Sequence, residues 1–485
     1  MTERARAASG PLRVVQISTF VQGGGAERIA WDLHVGLRRR GHDARLAVGS
    51  ANRDEPGVVL LKGRRATGLD RILRGVPARA LAPLASRSKS ARRLQNAIRH
   101  PGAIRRALDR LKGREAFEYP ESRSLLDSLP WTPDVIHGHN LHGGYFDLRY
   151  LPVLARAAPL VLTLHDEWLN TGHCAYSLGC ERWRVGCGMC PDLAIYPSIA
   201  RDGTAENFRI KRALYADGPF FVAAPSRWLL DRARVGVLSE AALDFRVIPN
   251  GVDTSIFNPV GRAESRARLG IEPTDGVLLF AANLTRSNPF KDHATVTAAA
   301  RRMAETATGA HLVLICLGEP GPIEQLSHGE IRQLGYESDP HRMADYYRAA
   351  DLYLHAAHAD NAPLTILEAL ACGTPVVATA TGGIPEQIRS LAGVPGAWNG
   401  DAHGVESATG VLVPPSDPES MASAATALLA DSTTLARLAH NAVADVAARY
   451  SIEQQVNATV AWYRDARRLW DERIQLRRAG ALNGT

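Results

Sequence analysis

The stretch DNAPLTILEALACGTPVV, residues 360–377, decides how the second half of the chain folds. With the apolar run at 351–355 before it, the stretch predicts a strand, a loop, a helix, a Gly-Thr-Pro turn and a second strand. Strands that alternate with helices in this way form a parallel sheet covered by its crossover helices. The stretch therefore predicts an α/β domain.

Two chemical features of this strand–helix unit indicate a ligand with phosphate and sugar groups. The amides of Ala362, Leu364 and Thr365 fall at the start of the helix, where N–H groups lack intrahelical acceptors and the helix dipole favours anions. Asp360 and Glu368 place an acidic residue at each end of the first helical stretch. A carboxylate at position 368 can accept paired hydrogen bonds from the two hydroxyls of a ribose.

The same alternation of strands and helices runs through the rest of the chain. Its 485 residues are too many for one hydrophobic core and fit two domains. Strands are predicted at 13–19, 43–48, 134–137, 160–164 and 220–224, and again at 276–281, 311–317, 352–354, 375–379 and 410–413. We predict two Rossmann-like domains, at 1–255 and 256–450, and a C-terminal helix within 451–485 that crosses back to the first domain.

The composition is that of an ordinary globular protein, with 45% hydrophobic and 22% charged residues. No run approaches the roughly 18 apolar residues of a membrane-spanning helix, and the N-terminal stretch lacks the features of a secretion signal, so we expect a cytoplasmic protein. The net charge of +7 is unevenly distributed, because residues 62–114 contain sixteen Lys or Arg but only two Asp. Such a local field usually marks an anionic partner.

The order of residues at 360–377 resembles the donor signature of glycosyltransferase family 4, the retaining enzymes of the GT-B type. An acidic residue, seven further residues, Glu368 and a Cys-Gly-Thr-Pro-Val-Val turn carry this resemblance. It implies a GT-B fold, with two Rossmann-like domains facing across a cleft, and contact of Glu368 with the donor ribose. Asp360 stands where the family usually has glutamate, and the resemblance implies that it contacts hydroxyls of the donor sugar.

Residues 281–293, AANLTRSNPFKDH, resemble the family segment that ends in a basic residue. The resemblance makes Lys291 and Arg286 candidates for binding the donor diphosphate, although a solvated surface arginine is an alternative for Arg286. Fixed cations stabilise a departing diphosphate more in the transition state than in the ground state. No aspartate pair of the metal-binding kind is evident, so no catalytic metal is expected. Gly335, in RQLGYES, corresponds to a glycine loop beside the nucleotide base, or is only a turn.

A glycine loop, QGGGAER at 22–28, follows the first predicted strand. A dinucleotide fingerprint would need its third glycine at Arg28, so that interpretation fails. In family 4 such a loop lets the backbone approach the donor phosphates, which makes Gly24 and Gly25 donor-binding candidates. The alternative is a tight strand-to-helix turn, which explains one glycine but not three.

Histidines cluster where the strands of the first half end. His165, in VLTLHDEW, resembles the active-site histidine of family 4, which faces the reacting sugar. His139 and Asp166 lie at neighbouring strand ends, the edge at which open α/β sheets bind ligands, and are candidates for the acceptor side. His137 belongs to the same cluster of histidines. The alternative to a role at the site is that His137 is a packed strand residue.

Four cysteines lie close together in a Cys-rich loop at 171–192: Cys174, Cys180, Cys187 and Cys190. In a chain without a secretion signal, this spacing favours a structural zinc site, with disulfide or redox pairing and unliganded thiols as alternatives. Together with TLHDEW before it, the block resembles a branch of family 4 found among bacterial exopolysaccharide transferases of the colanic-acid type.

Apolar residues recur at helical spacing within the basic insertion at 62–114. A basic amphipathic helix can lie on an anionic membrane, which would place the protein at the inner face of the plasma membrane. The alternative is a solvated face. Nucleic acid is not an expected partner, because no stacking aromatic residues are interleaved with the arginines.

The sequence leaves the reaction partners partly open. The expected donor is a nucleotide-diphosphate sugar, and the acceptor is a glycan, a lipid-linked oligosaccharide or a small metabolite. A nucleotide-sugar epimerase or hydrolase on the same fold is an alternative, as is a non-catalytic protein that binds nucleotide sugars.

Overall fold

The computed structural model describes residues 10–51, 55–61, 108–115, 119–306 and 311–478. The chain divides into two units. Unit 1 runs up to Ala223 and includes Leu230–Arg246 and the chain from Val460 onward, whereas unit 2 comprises Ala224–Leu229 and Val247–Thr459. The predicted basic insertion lies outside the described residues except at 108–114, so its proposed amphipathic character is not tested.

Unit 1 is built on a seven-stranded sheet of strand order β3-β2-β1-β4-β5-β6-β7. Its strands are β1 (Arg13–Phe20), β2 (Asp43–Ser50), β3 (Val58–Leu60), β4 (Val135–Gly138), β5 (Leu160–Thr163), β6 (Phe220–Ala224) and β7 (Ala242–Val247). Strands β1 to β6 pair in parallel, and Gln16 of β1 lies opposite His137 of β4. The carboxyl ends of β1, β4 and β5 therefore meet at one edge of the sheet.

The helices assigned to this half of the chain are α1 (Gly25–Arg39), α2 (Leu151–Ala157), α3 (Thr204–Ala216) and α4 (Arg227–Arg234). Helix α1 buries Ile29, Leu33 and Leu37 at helical spacing, as the sequence pattern predicts. Strands β1, β4 and β6 are almost completely buried, as expected for a parallel sheet covered by helices, whereas the outermost strands β3 and β7 are only partly buried.

Unit 2 contains a nine-stranded sheet of strand order β10-β11-β9-β8-β12-β13-β16-β14-β15. The strands are β8 (Gly276–Ala281), β9 (Leu312–Gly318), β10 (Glu324–Leu326), β11 (Gly329–Gly335), β12 (Leu352–His355), β13 (Val376–Thr379), β14 (Ser390–Leu391), β15 (Ala402–His403) and β16 (Gly410–Val413). Only β10 pairs antiparallel, with β11, among the pairings described. The prediction of two α/β folds with parallel sheets is confirmed.

The helices of the second half are α5 (Arg262–Arg268), α6 (His293–Thr306), α7 (Pro340–Ala349), α8 (Leu364–Ala371), α9 (Pro418–Ala430), α10 (Ser432–Arg449) and α11 (Ile452–Arg478). Two hydrophobic clusters form in unit 2. Leu279, Ile315 and Leu367 belong to one cluster, and Phe280, Leu314 and Met421 belong to the other. Alternate residues of β8 and β9 thus enter different clusters, because side chains alternate across a sheet.

Helix α11 contributes residues to both units. Its residues up to Thr459 belong to unit 2, where the Gln455 side chain accepts a hydrogen bond from the Gly251 amide at 3.1 Å. From Val460 onward the helix belongs to unit 1, where Tyr463 reaches the His137 ring at 2.6 Å and Arg467 pairs with Asp134 at 2.5 Å. Among the described residues, no helix combines the length and apolar character needed to cross a bilayer.

The close approach of Gly318 to Ala282 gives a stability test. Gly318 has φ +143°, and a Cβ there would lie 1.8 Å from the Ala282 carbonyl oxygen. We expect Gly318→Ala to lower the free energy of unfolding by roughly 2–4 kcal/mol, through backbone strain and steric overlap. Gly404→Ala is the matched control, because a Cβ at Gly404 meets nothing within 4 Å. Equal unfolding midpoints for both variants in urea would contradict this account.

Candidate active site

The loop between β12 and α8 is held to unit 2 through its carbonyl groups. The carbonyl oxygen of Asp360 accepts the Gly383 amide at 3.2 Å, and that of Ala362 accepts the Asn250 side-chain amide at 3.1 Å. The Pro363 carbonyl accepts a hydrogen bond from Gln387 at 3.2 Å. The carbonyl groups of Asp360, Ala362 and Pro363 thus all accept hydrogen bonds from other residues of the protein. Helix α8 begins directly after the loop, at Leu364.

Two glycines that the sequence analysis did not single out make this arrangement possible. Gly382 has φ +59°, and a Cβ there would lie 1.9 Å from the Asp360 carbonyl oxygen. A Cβ at Gly383 would lie 2.0 Å from the Asn361 carbonyl oxygen. No other residue allows the backbone to approach so closely. A Gly-Gly pair directly after the strand predicted at 375–379 was the signal that could have identified them.

Lys291 and Asp360 form a buried ion pair at this loop. The Lys291 ammonium donates to Asp360 Oδ2, and His355 Nε2 lies 3.1 Å from the same oxygen. The Asn361 amide donates to Asp360 Oδ1 at 3.0 Å. Burial alone would raise the pKa of Asp360, but the Lys291 charge and the His355 contact outweigh it and hold this pKa well below its usual range. Asp360 is therefore ionised near pH 7.

Glu368 lies in the middle of α8 and is partly exposed. The Tyr347 hydroxyl of α7 donates to its Oε2 at 3.0 Å. Burial and the nearby Glu368 carboxylate raise the pKa of Tyr347 well above its ordinary value, so the phenol remains a donor. Tyr347 thus fixes the orientation of the Glu368 carboxylate, which lies one turn into the helix. No sequence pattern predicted this contact.

Arg286 and Gly335 are placed by contacts with strand β9 and the segment after it. The Arg286 guanidinium donates to the Pro320 carbonyl at 2.7 Å, and its backbone amide donates to Glu319 at 3.0 Å. These contacts tie Arg286 to the segment after β9. Gly335 ends β11 opposite Gly318, and a Cβ at Gly335 would meet nothing within 4 Å, so packing does not require a glycine there.

The glycine loop of unit 1 joins β1 to α1. Gly24 is the residue before the helix and has extended backbone angles, with φ −78° and ψ −168°. A Cβ at Gly24 would lie 3.2 Å from a carboxylate oxygen of Glu27, and one at Gly23 would lie 3.4 Å from a Glu27 side-chain carbon. The loop therefore packs tightly against the first turn of α1, which also contains Gly25.

Three imidazole rings lie next to one another at the carboxyl ends of strands β4 and β5 in unit 1. His139 Nδ1 lies 3.2 Å from His165 Nε2, and the rings of His137 and His139 are 4.1 Å apart. His137 is held by the Tyr463 hydroxyl at 2.6 Å and by the Thr163 hydroxyl at 2.7 Å. His137 and His139 are buried, whereas His165 is partly exposed. His165 is thus the member of the stack that solvent reaches.

Burial keeps these three imidazoles neutral. It lowers the pKa of His137 to about 3 and that of His165 to about 4, and it lowers the pKa of His139 well below the usual value. The His165 ring lowers the pKa of His137 and His139 further, because a second positive charge would repel the first. At His165 itself, the nearby Asp166 carboxylate opposes the effect of burial on the pKa without cancelling it. A neutral His165 can accept or donate a hydrogen bond but does not carry charge near pH 7.

Asp166, by contrast, belongs to a charged pair. His142 Nε2 donates to Asp166 Oδ2 at 2.8 Å, and Asp166 Oδ1 accepts the Trp168 amide at 2.9 Å. Burial would lower the pKa of His142, but the Asp166 charge and hydrogen bond outweigh it and raise that pKa. The Tyr196 hydroxyl lies 3.5 Å from His142 Nδ1. A neutral imidazole, that of His165, and an ion pair, that of Asp166 with His142, thus lie next to each other in the chain at this edge of the sheet.

Lys211 supports the segment that follows His165. Its buried ammonium donates to the carbonyls of Trp168 at 2.8 Å and Thr171 at 3.0 Å, and it pairs with Glu115 at 3.1 Å. The ammonium also lies 3.7 Å from the centre of the Trp168 ring, a cation–π contact. Sequence reasoning missed this residue because its partners lie far away along the chain.

The cysteines of the Cys-rich loop carry free thiols, at positions 174, 180, 187 and 190. The Gly172 amide donates to Cys187 Sγ at 3.2 Å, and His173 Nε2 lies 3.3 Å from Cys190 Sγ. In the described ranges, no group of three or more His, Cys, Asp or Glu side chains is placed to hold a metal ion. A structural zinc ion stays a prediction, and metal analysis of protein purified without added zinc tests it.

Comparisons with known proteins agree with this architecture. A family model described as glycosyltransferase family 4 matches residues 23–256, and one described as glycosyl transferases group 1 matches residues 275–431. The chain is 28% identical to the colanic acid biosynthesis glycosyl transferase WcaC of Escherichia coli K12, a match that spans 59% of this chain and 70% of WcaC. It is 31% identical to the D-inositol 3-phosphate glycosyltransferase of Acidothermus cellulolyticus, over 49% of this chain and about half, 52%, of that relative.

Solved structures of other proteins share the fold at low sequence identity. Sucrose-phosphate synthase from Thermosynechococcus elongatus matches with a TM-score of 0.56 and 18% identity, over 93% of this chain and 98% of that one. The HepE protein of Anabaena, solved with UDP-glucose, matches with a TM-score of 0.52 and 17% identity, over 93% of this chain and 99% of HepE.

Two Rossmann-like units in tandem, each matched by a glycosyltransferase family model, define a glycosyltransferase of the GT-B type. The resemblance to glycosyltransferase family 4 is confirmed, because the family 4 model matches residues 23–256 and the group 1 model matches the part of the chain that contains residues 360–377.

The buried imidazoles predict how stability depends on pH. Below about pH 6.5 the unfolded chain binds protons at these histidines, whereas folded His165 and His137 do so only near pH 4 and pH 3. The free energy of unfolding should therefore fall between pH 6.5 and about pH 5, before most carboxylates titrate. Urea unfolding at several pH values measures this, and His165→Gln should weaken the dependence. A wild-type free energy that is constant over this interval would refute the account.

Proposed function

We propose that this glycosyltransferase moves a sugar from a nucleotide-diphosphate sugar to a hydroxyl group of an acceptor, with retention of the anomeric configuration. The observation that carries the proposal is the segment from Asp360 to Glu368, which combines a buried ion pair, helix-start amides and an oriented carboxylate. These groups supply the cation, the N–H donors and the acceptor that a sugar nucleotide requires.

On the donor side, the Lys291 ammonium neutralises the diphosphate, and the amides of Leu364 and Thr365 receive phosphate or sugar oxygens. Glu368 accepts the ribose hydroxyls, with Tyr347 holding its carboxylate. Gly24, Gly25 and Gly335 are proposed to border the donor, a role that no contact described above tests. Arg286 has less support, because its guanidinium is bound to the Pro320 carbonyl.

On the acceptor side, His165 is proposed to face the reacting sugar as a neutral hydrogen-bonding group, with His139 holding it from behind. Asp166 is held by His142 and orients the segment that follows. In the reaction, the bond from the sugar C1 to the diphosphate oxygen breaks and a bond from the acceptor oxygen to C1 forms on the same face. The proton of the acceptor hydroxyl passes to the departing diphosphate.

The relatives suggest where to look for substrates. HepE has been solved with UDP-glucose, so UDP-glucose is the first donor to test here. WcaC carries a name from colanic acid biosynthesis and the Acidothermus relative one from D-inositol 3-phosphate. A glycan, a lipid-linked oligosaccharide and a polyol phosphate are therefore the acceptor classes to compare.

Substitutions at the donor side test the assigned roles. We expect Lys291→Met and Glu368→Gln each to lower kcat/KM for the donor by about 10²–10³-fold, because each removes a fixed electrostatic partner of the donor. Arg301→Met is the control, since Arg301 makes a surface pair with Glu324 at 2.7 Å. Steady-state kinetics with radiolabelled donor measures the effect. Wild-type activity in either donor-side variant would remove the corresponding residue from the site.

The configuration of the product tests retention and the rival functions together. With UDP-glucose or another α-linked sugar nucleotide, we expect an α-linked product, identified from the coupling constant of its anomeric proton by NMR. A β-linked product would overturn retention. Release of free sugar that acceptors do not suppress would favour a hydrolase, conversion of the donor sugar an epimerase, and binding without turnover a non-catalytic protein.

Peripheral membrane contact is a separate proposal that concerns residues 62–114, most of which lie outside the described part of the chain. Where the structure describes this segment, Leu108 and Leu111 are exposed. Sedimentation with vesicles of anionic lipid at low salt tests the contact, and loss of sedimentation in neutral vesicles is the expected control result.

A further inference from the structure

A chain of hydrogen-bonded side chains runs through the buried interior of unit 2 toward Lys291. The Tyr353 hydroxyl lies 3.2 Å from His355 Nδ1 and 3.1 Å from the Ala281 carbonyl oxygen. His355 Nε2 lies 3.1 Å from Asp360 Oδ2, which also receives the Lys291 ammonium. Tyr353 and His355 both belong to β12, so a strand of the sheet anchors the chain.

The carboxylate of Asp360 has little capacity left for an external ligand. A carboxylate offers about four lone-pair positions, and three donors, from Asn361, His355 and Lys291, already occupy this one. Asp360 is also buried. The Asp360 carboxylate thus binds groups of the protein itself: the Asn361 amide, the His355 ring and the Lys291 ammonium.

The protonation of His355 follows from its partners. An ionised carboxylate can only accept hydrogen bonds, so the ring proton lies on Nε2 and points at Asp360. Nδ1 then lies 3.2 Å from the Tyr353 hydroxyl, whose single proton is shared between this nitrogen and the Ala281 carbonyl oxygen. The ring also meets the Phe280 ring edge-on, with centroids 6.5 Å apart. His355 therefore has a fixed orientation and a fixed tautomer.

We propose that His355 is a positioning residue that acts through Asp360 to hold the Lys291 ammonium where the donor diphosphate departs. The proposal rests on the proposed role of Lys291. A lysine ammonium sits on a long flexible stem and loses considerable rotamer entropy when it is fixed. A carboxylate held from behind by an imidazole fixes the cation before the donor binds, so that little reorganisation is needed when charge develops.

The assignment explains why a histidine stands at the end of a buried strand. His355 is fully buried, and it reaches the proposed donor site through the Asp360 carboxylate. A merely structural side chain at this position would need no polar partner, whereas His355 has one on each ring nitrogen. Without the Nε2 donor, Asp360 Oδ2 would keep only Lys291, and the ion pair could change its geometry.

The test compares His355→Phe, which removes both hydrogen bonds, with His355→Gln, whose amide can still donate to Asp360. We expect His355→Phe to lower kcat by roughly 10- to 100-fold, as for a misplaced catalytic group, with the donor KM changed less than kcat. His355→Gln should recover most of this loss. His358→Phe is the matched control, because His358 lies in the following loop and its ring is exposed, with Nδ1 3.9 Å from Asp292.

A double-mutant cycle decides whether His355 acts through Asp360. Because Asp360→Asn already disrupts the hold on Lys291, adding His355→Phe should lower kcat little further. Fully additive losses, or wild-type activity in His355→Phe, would overturn the proposal. If His355→Phe does not fold, as judged by its thermal unfolding, His355→Asn replaces it in the cycle, since the shorter amide falls short of Asp360.

The outcome for Lys291 is measured separately, so the two failures can be told apart. Wild-type kinetics in Lys291→Met would defeat the proposed role of Lys291 and the present proposal with it. Loss of activity in Lys291→Met together with full activity in His355→Phe would defeat only the role of His355.

Discussion

The ion pair between Lys291 and the buried Asp360 is the interaction on which the loop between β12 and α8 depends. A carboxylate withdrawn from water is costly unless a cation and hydrogen-bond donors meet it, and removing one partner leaves an uncompensated charge. The Asp360 loop is therefore held by Gly383, Asn250 and Gln387 through its carbonyls, so that its side chain points at Lys291. The start of α8 and the position of Glu368 follow from the path of the same loop.

In unit 1 one group of buried polar side chains is neutral rather than charged. Instead of an ion pair, three stacked imidazoles stay neutral because burial disfavours their charged forms, and hydroxyls and a neighbouring ring satisfy their nitrogens. The charged pair of His142 and Asp166 stands beside them.

Local patterns predicted the elements well, and distant contacts limited the prediction of the site. Strand β8 and strand β16 match the predicted bounds, because short apolar runs between turn residues have few other structures to adopt. The short strands β10, β14 and β15 were not predicted, since pairing with neighbouring strands rather than their own sequence defines them. Lys291, Asp360 and Glu368 follow from a motif. Tyr347, His355 and Gly382 could not be predicted in this way, because their roles depend on contacts with residues that no sequence motif pairs them with.

The division of α11 between the units has a consequence for the order of events during synthesis. Tyr463, which holds the His137 ring, leaves the ribosome 326 residues after its partner. Unit 2, apart from Ala224–Leu229, is one continuous stretch that ends at Thr459, so all of its residues emerge before Tyr463 does. The half of the protein that is translated first is thus the half that is completed last, which reverses the usual N-terminal-first sequence of domain folding.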